Sequence, residues 1–229
     1  MIERMMNVLI VLVSLITTLL IYHPSHAQGT SPLVVSWRAN AYAPGRFEGK
    51  ILASRNGSIT ASVDLLIAGK PADLARREIR WFVNNELYRS GKNLKRVTLQ
   101  APIQSSDEMI LKVVVLGSGG GSNIERLITI PIASPEVVLD VPSAGGYIPA
   151  ASIETRAIPY FFSVDDPNEL SYEWTANGSR AENESGSGSV ITLDATSGTP
   201  ESSVILGVRA INPAALIESA QASLMLRIR

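Results

Sequence analysis

One pattern occurs twice in this 229-residue chain, and it limits the folds available more than any other feature. Around Trp81 the sequence reads Glu78-Ile79-Arg80-Trp81-Phe82-Val83-Asn84-Asn85; around Trp174 it reads Tyr172-Glu173-Trp174-Thr175-Ala176-Asn177-Gly178. Each Trp has an apolar residue two positions before it and an Asn three after. Downstream, Val97-Thr98-Leu99-Gln100-Ala101 answers Ile191-Thr192-Leu193-Asp194-Ala195, so Leu99 and Leu193 follow their tryptophans by 18 and 19 residues. Strand-like runs follow in both copies, over 109–116 and 204–211, then 126–132 and 223–229. The two tryptophans are 93 residues apart, too far for a solenoid repeat and close to the ~100 residues of one β-sandwich. The chain reads as two tandem domains.

The segments inside each copy are short, rich in β-branched residues and bounded by turn signals, as an all-β sandwich requires. Over Ser58–Ile67, Ile59, Ala61, Val63, Leu65 and Ile67 fall on one face, with Thr60, Ser62 and Asp64 on the other over the first half, the period of a strand with one buried face. Its counterpart over 152–164 puts Ile153, Thr155, Ala157, Pro159, Phe161 and Ser163 on one face and Tyr160 and Phe162 on the other, with Pro159 implying an edge or bulge. Turns are expected at Pro44-Gly45, Asn56-Gly57, Gly145-Gly146 and Asp166-Pro167-Asn168. No segment downstream of residue 27 has a long 3.6-residue period; residues 68–77 read as a loop with at most one helical turn. The boundary falls at Ala133-Ser134-Pro135, giving domains of residues 28–133 and 134–229.

Residues 1–27 read as a signal peptide. An apolar run over 8–22 is too short for the roughly 20 residues that span a bilayer, and Ser25-His26-Ala27 supplies small residues at a cleavage site. Cleavage after Ala27 gives an exported protein, in the periplasm, on the cell surface or secreted; an uncleaved leader is the alternative, and the only membrane attachment expected. The chain has no Cys, and both His residues, His23 and His26, fall within the leader. The remainder therefore excludes thiol nucleophiles, His general bases, Ser-His-Asp triads and Cys/His zinc sites. No catalytic residue is expected, and no enzyme.

The Trp followed by Asn or Asn-Gly, then a strand ending in Thr-Leu-x-Ala, resembles bacterial immunoglobulin-like and PKD-like domains. Segments 37–44, with Gly49-Lys50, and 157–163 also resemble exported two-domain proteins of candidate-phylum bacteria. The resemblance implies that Trp81 and Trp174 sit on the third strand of each sandwich and pack between its sheets. It implies no activity and no site residue. Trp81, Trp174, Leu99 and Leu193 are expected in the cores.

Several segments raise candidate chemistry. Gly117 to Ser122 is Gly-rich but leads into a strand and lacks the Lys-Ser/Thr of a phosphate loop, so it reads as a hairpin loop. Asp165, Asp166, Asn168 and Glu169 could supply oxygen ligands to calcium, the one cofactor considered, although the same residues suit a tight turn. Sequons at Asn56, Asn177 and Asn183 read as loop asparagines. Trp37, without a counterpart in the second copy, forms with Tyr42 and Phe47 the aromatic segment most suited to a ligand or partner.

The formal net charge is −1, which argues against nucleic acid as a partner. Residues 28–133 hold 14 Lys or Arg and 8 Asp or Glu, while residues 134–229 hold 5 and 12, for net charges of +6 and −7. Such fields bear on association rather than fold. They suit head-to-tail self-association of basic and acidic domains, or contact with envelope proteins or polymer. The expected role is adhesion, scaffolding or protein interaction in the cell envelope. The alternatives are a carbohydrate- or ligand-binding module and a periplasmic pilus-type chaperone, which would use residues 126–132 for strand addition.

Overall fold

The computed structural model describes residues 33–103, 107–117, 121–181 and 188–229. The leader, residues 118–120 of the Gly-rich segment and the Asn183 sequon lie outside the described residues. The architecture is all-β, two immunoglobulin-like sandwiches in tandem, with a single 3-10 turn at Pro167–Glu169 among the described residues. Among the same residues no helix is long and apolar enough to cross a membrane.

In the first sandwich, β1 (Leu33–Asn40), β3 (Ser58–Ile67) and β7 (Arg96–Gln100) form one sheet, with the short β4 (Lys70–Pro71) folded back on the end of β3. The facing sheet has the order β2 (Ala53–Ser54), β9 (Ile124–Ala133), β8 (Glu108–Val115), β5 (Glu78–Val83), β6 (Glu86–Lys92). The second sandwich repeats this plan. One sheet is β10 (Glu136–Asp140), β12 (Ser152–Tyr160), β15 (Val190–Asp194); the other is β11 (Tyr147–Ile148), β17 (Ser219–Ile228), β16 (Ser203–Ile211), β13 (Ser171–Ala176), β14 (Ser179–Ala181). In both, a two-residue strand runs parallel to the end of the last strand: Ala53 opposite Ile132, and Tyr147 opposite Arg227.

The repeated residues do the same work in both copies. Trp81 and Trp174 are buried between the sheets, opposite Val113 and Val208. A buried indole N–H needs an acceptor. Trp81 Nε1 donates to the Leu94 carbonyl at 2.8 Å and Trp174 Nε1 to the Gly188 carbonyl at 2.9 Å, both in the connection before the next strand. The Asn three residues on has a turn-forming role. Asn84 and Asn177 take positive φ, 49° and 51°, at the two hairpin turns. Each then grips the neighbouring strand twice: Asn84 Oδ1 accepts from the Ile110 amide and its own amide donates to the Ile110 carbonyl, and Asn177 does the same with Ile205. Asn tolerates left-handed backbone better than most residues, and its side chain adds the bond that Gly would lack. Leu99, opposite Ile59, is buried; Leu193, opposite Ile153, is half-buried against its core.

Alternation fails at the far ends of two strands. Ile59, Ala61, Val63 and Leu65 are buried, but Ile67 is 62% exposed, since β3 there runs beyond the core into the Ala68-Gly69 turn. In the second sandwich β12 stops at Tyr160. Phe161 has φ +61°, which reverses the in-out order and sends Phe162 and Val164, rather than Phe161 and Ser163, into the core. Pro159 pairs only with Val137 on β10, where β15 no longer runs alongside, so its missing N–H leaves the ladder intact.

Candidate functional site

The aromatic residues singled out in the sequence do not form one cluster. Trp37 stays on the first sandwich, half-buried against its core opposite Ala61, with Lys50 Nζ 3.6 Å from its ring centroid. Beside it runs a shallow groove of about 310 Å³ lined by Ser36, Arg38, Thr60, Ser62 and Arg96. Tyr42 and Phe47, by contrast, lie on the connection between β1 and β2 and reach the second sandwich. Tyr42 packs against the second core, donating its N–H to the Phe162 carbonyl at 2.7 Å, while its carbonyl accepts from the Phe161 N–H at 2.8 Å. Phe47 meets Tyr160 and Phe161 edge-on, at centroid separations of 6.0 and 5.6 Å. These contacts hold Phe161 in its left-handed conformation, which for a bulky side chain would otherwise cost about 1–2 kcal/mol.

Next to this aromatic cluster lies a buried polar centre made by both sandwiches. Glu218, at the end of the β16–β17 connection, is 2% exposed. Its Oε1 accepts from the Ser54 hydroxyl of β2. Its Oε2 accepts from the Ser163 amide at 2.9 Å and from Asn212 Nδ2 at 2.8 Å. The backbones of Asn212 and Glu218 close the loop, with the Asn212 amide donating to the Glu218 carbonyl at 2.9 Å. Ser54 and Ser163 hydroxyls also meet at 3.1 Å. Gly57 is required here, because a Cβ would fall 2.8 Å from the Ser54 carbonyl and 3.0 Å from Ser163 Oγ. A buried carboxylate is tolerable only with such a set of donors, since each unsatisfied group would cost about 1–3 kcal/mol or more. The chemistry is structural: the Ser54 hydroxyl is wholly buried and hydrogen-bonded to Glu218, so no substrate reaches it.

The acidic turn folds on itself. Asp166 caps the 3-10 turn by accepting from the Asn168 amide at 2.8 Å, and Glu169 Oε1 accepts from the Asp166 amide at 2.9 Å. Asp165 lies next to them and is exposed. Among the described residues no group of three or more His, Cys, Asp or Glu is arranged to hold a metal ion. Tyr172 donates to the Pro167 carbonyl at 3.0 Å, tying this turn to β13. Burial pushes its phenol well above the ordinary value, and Tyr42 and Asp166 add to the shift. On the outer face of the second sandwich, Gly207 leaves a polar trough of about 480 Å³ flanked by Glu173, Thr175, Arg209, Gln221 and Ser223.

Sequence reasoning missed Glu218, Asn212, Ser54 and Ser163. Each stands in a connection or at a strand end, where polar residues are ordinary, and the contact of Ser54 with Glu218 spans 164 positions. Only the Gly57 of Asn56-Gly57 hinted at a close approach.

No protein-family model matches the sequence, and no curated protein matches it. Solved structures similar to the chain include fibronectin(III)-like modules of Clostridium thermocellum CbhA, at 11% identity and a TM-score of 0.31, covering 86% of this chain and 94% of that one. Three N-terminal domains of the bacteriophage RB49 highly immunogenic outer capsid protein match at 15% identity and 0.47, covering 86% and 59%. The ectodomain of mouse nectin-like molecule 4, Ig1–Ig3, matches at 12% identity and 0.35, covering 86% and 64%. The strand pairings of the two sandwiches define the immunoglobulin-like fold.

Proposed function

We propose that this is an exported, non-enzymatic protein of the cell envelope whose two immunoglobulin-like sandwiches serve adhesion, scaffolding or protein interaction. The observation that carries this reading is the junction. Tyr42, Phe47, Ser54 and Glu218, the groups best suited to bind or react, are spent on fixing one sandwich to the other. A rigid tandem of this kind presents its outer faces and loops at a set geometry, which suits a scaffold. The signal-peptide reading of residues 1–27 supports export, and the PKD-like resemblance fits the same setting. Crosslinking in intact envelope, followed by identification of captured proteins, tests the role; N-terminal sequencing of the exported protein tests the leader. Recovery only from the cytoplasm with Met1 intact would end the envelope reading.

A ligand-binding role finds its best support at Trp37 and the groove beside it, and binding to a glycan array that Trp37→Ala abolishes would establish it. Strand addition, the chaperone reading, is favoured by one feature: β9 pairs with β8 along its length but with β2 only at Ile132 and Ala133. Co-purification of an unfolded subunit would support that reading. Calcium at Asp165, Asp166, Asn168 and Glu169 would show as a rise in melting temperature at millimolar calcium.

A further inference from the structure

The outer face of the sheet formed by β1, β3 and β7 differs from its counterpart in the second sandwich. On the central strand β3 the outward side chains include the short Ser58, Thr60 and Ser62, all half-buried, while Arg38 of β1 and Arg96 of β7 stand exposed on either side. The register sets Arg38 opposite Thr60, and Ser62 between Ser36 and Arg96. The Ser36 and Ser62 hydroxyls meet at 2.9 Å. The result is the groove of about 310 Å³ beside Trp37, with hydroxyls along its floor and a guanidinium on each side. With strands about 4.8 Å apart and a rise of about 3.4 Å per residue, the two arginine Cα atoms lie roughly 12 Å apart on a diagonal. In the second sandwich the central strand β12 instead turns Glu154, Arg156 and Ile158 outward, and Arg156 pairs with Glu154 at 3.4 Å. Asp140 and Asp194 are exposed on the strands beside it. One copy of the sheet thus neutralises its arginine, and the other leaves two open.

Among the described residues no ion pair involves Arg38 or Arg96. The one acid on the three strands, Asp64, stands opposite Val34 and does not line the groove. Lys50 adds a third positive charge, 3.6 Å from the Trp37 ring centroid, and takes a ring face on which a sugar would stack. These groups select the occupant. A planar guanidinium binds a planar carboxylate through two parallel hydrogen bonds. Ser and Thr hydroxyls both donate and accept, as sugar hydroxyls do. An apolar ligand would leave the hydroxyls and both charges without partners. A peptide strand docks on a sheet edge through free backbone groups, whereas this is a face whose backbone is paired within the sheet. At the β7 edge the Thr98 carbonyl is already taken, accepting from the Tyr88 hydroxyl at 2.7 Å.

We propose that this groove binds a linear polysaccharide bearing carboxylates, a uronic-acid polymer. Arg38 and Arg96 each grip one carboxylate, and the Ser36, Thr60 and Ser62 hydroxyls bond to ring hydroxyls between them. The proposal rests on the ligand-binding reading above and names its ligand class. The test is titration calorimetry of the purified chain with polygalacturonate, with its fully methyl-esterified form, and with poly-L-glutamate. Binding should require free carboxylates, since the ester keeps the ring hydroxyls and loses the charge, and should weaken between about 50 and 300 mM NaCl. Arg38→Gln/Arg96→Gln should weaken it on the order of 100-fold, about tenfold for each charge-assisted contact. Arg89→Gln/Arg126→Gln, the same charge change on exposed residues of the facing sheet, should stay within a few-fold of the parent. Thr60→Val/Ser62→Ala keeps the charges and should weaken polygalacturonate binding more than that of poly-L-glutamate. Circular dichroism checks that the variants fold. Equal binding of the ester, or equal losses in the two arginine variants, would overturn the proposal. So would poly-L-glutamate binding as tightly as polygalacturonate, which would assign the groove to acidic peptides. A neutral glycan bound through Trp37 with no preference for carboxylates would overturn this proposal alone and leave the ligand-binding reading standing; no glycan bound at all would end both.

Discussion

Trp81 and Trp174 have matching surroundings: a carbonyl for the indole, a valine opposite, and an Asn that turns the chain and grips the next strand. The connections between the last two strands share nothing of the kind. In the first sandwich it is the Gly-rich segment around Gly117 to Ser122; in the second it runs from Asn212 to Glu218 and carries the buried carboxylate of the junction. The β1–β2 connection, which carries Tyr42 and Phe47, is likewise longer than its counterpart between β10 and β11. Core positions are alike because each sandwich must solve the same packing problem alone. Junction positions differ because the two sandwiches lie on opposite sides of a single contact.

This comparison can be broken most directly at the tryptophans. Trp81→Ala and Trp174→Ala should each cost about 3–5 kcal/mol in urea unfolding, because a large ring leaves a cavity that rigid sheets do not refill. A negligible loss at either would end the equivalence of the two cores. Glu218→Ala comes next, at about 3 kcal/mol, since it leaves the Ser163 amide and Asn212 Nδ2 without their acceptor and the Ser54 hydroxyl with only Ser163 Oγ. It should also split calorimetric unfolding into two transitions, one per sandwich, whereas the parent gives one. A double-mutant cycle of Ser54→Ala with Glu218→Gln should show coupling of at least about 0.5 kcal/mol.

Smaller effects sharpen the picture. Asn84→Ala and Asn177→Ala should each cost about 1–2 kcal/mol, through lost hydrogen bonds and left-handed backbone, and should agree closely with each other. The smallest effect belongs to Tyr172. A phenol whose folded pKa is raised above its unfolded value of 10.0 gives stability that is whole below about pH 10 and lost as pH rises through the folded pKa. Stability should therefore fall more steeply above about pH 10 in the parent than in Tyr172→Phe. Parallel alkaline profiles would remove Tyr172 from the account.

The sandwiches could be read from sequence because a core pattern is local. A two-residue period over Ser58–Ile67, Trp with Asn three on, and β-branched runs between turns all follow from one strand facing one core. The reading failed where local rules stop. The alternation through Phe161 assumed β backbone, while contacts from Tyr42 and Phe47 hold a left-handed residue there. The Asp165 to Glu169 cluster was legible as a turn, and its capping bonds are short-range. The candidate site was half legible: Tyr42 and Phe47 stood out as aromatics, but nothing near them in sequence shows that they face the second sandwich.

By itself the sequence determined that this chain folds into two β-sandwiches of opposite net charge, lacks Cys throughout and, after residue 27, His, and centres each core on a tryptophan. Periodicity, turn chemistry and composition act within a few residues, so they are fully written in the order of the amino acids. Only the tertiary structure decided that the two sandwiches share a buried carboxylate, and that Tyr42 and Phe47 of the first reach the second. Both depend on side chains far apart in the chain becoming neighbours, which the packing of the sheets brings about and no local rule records.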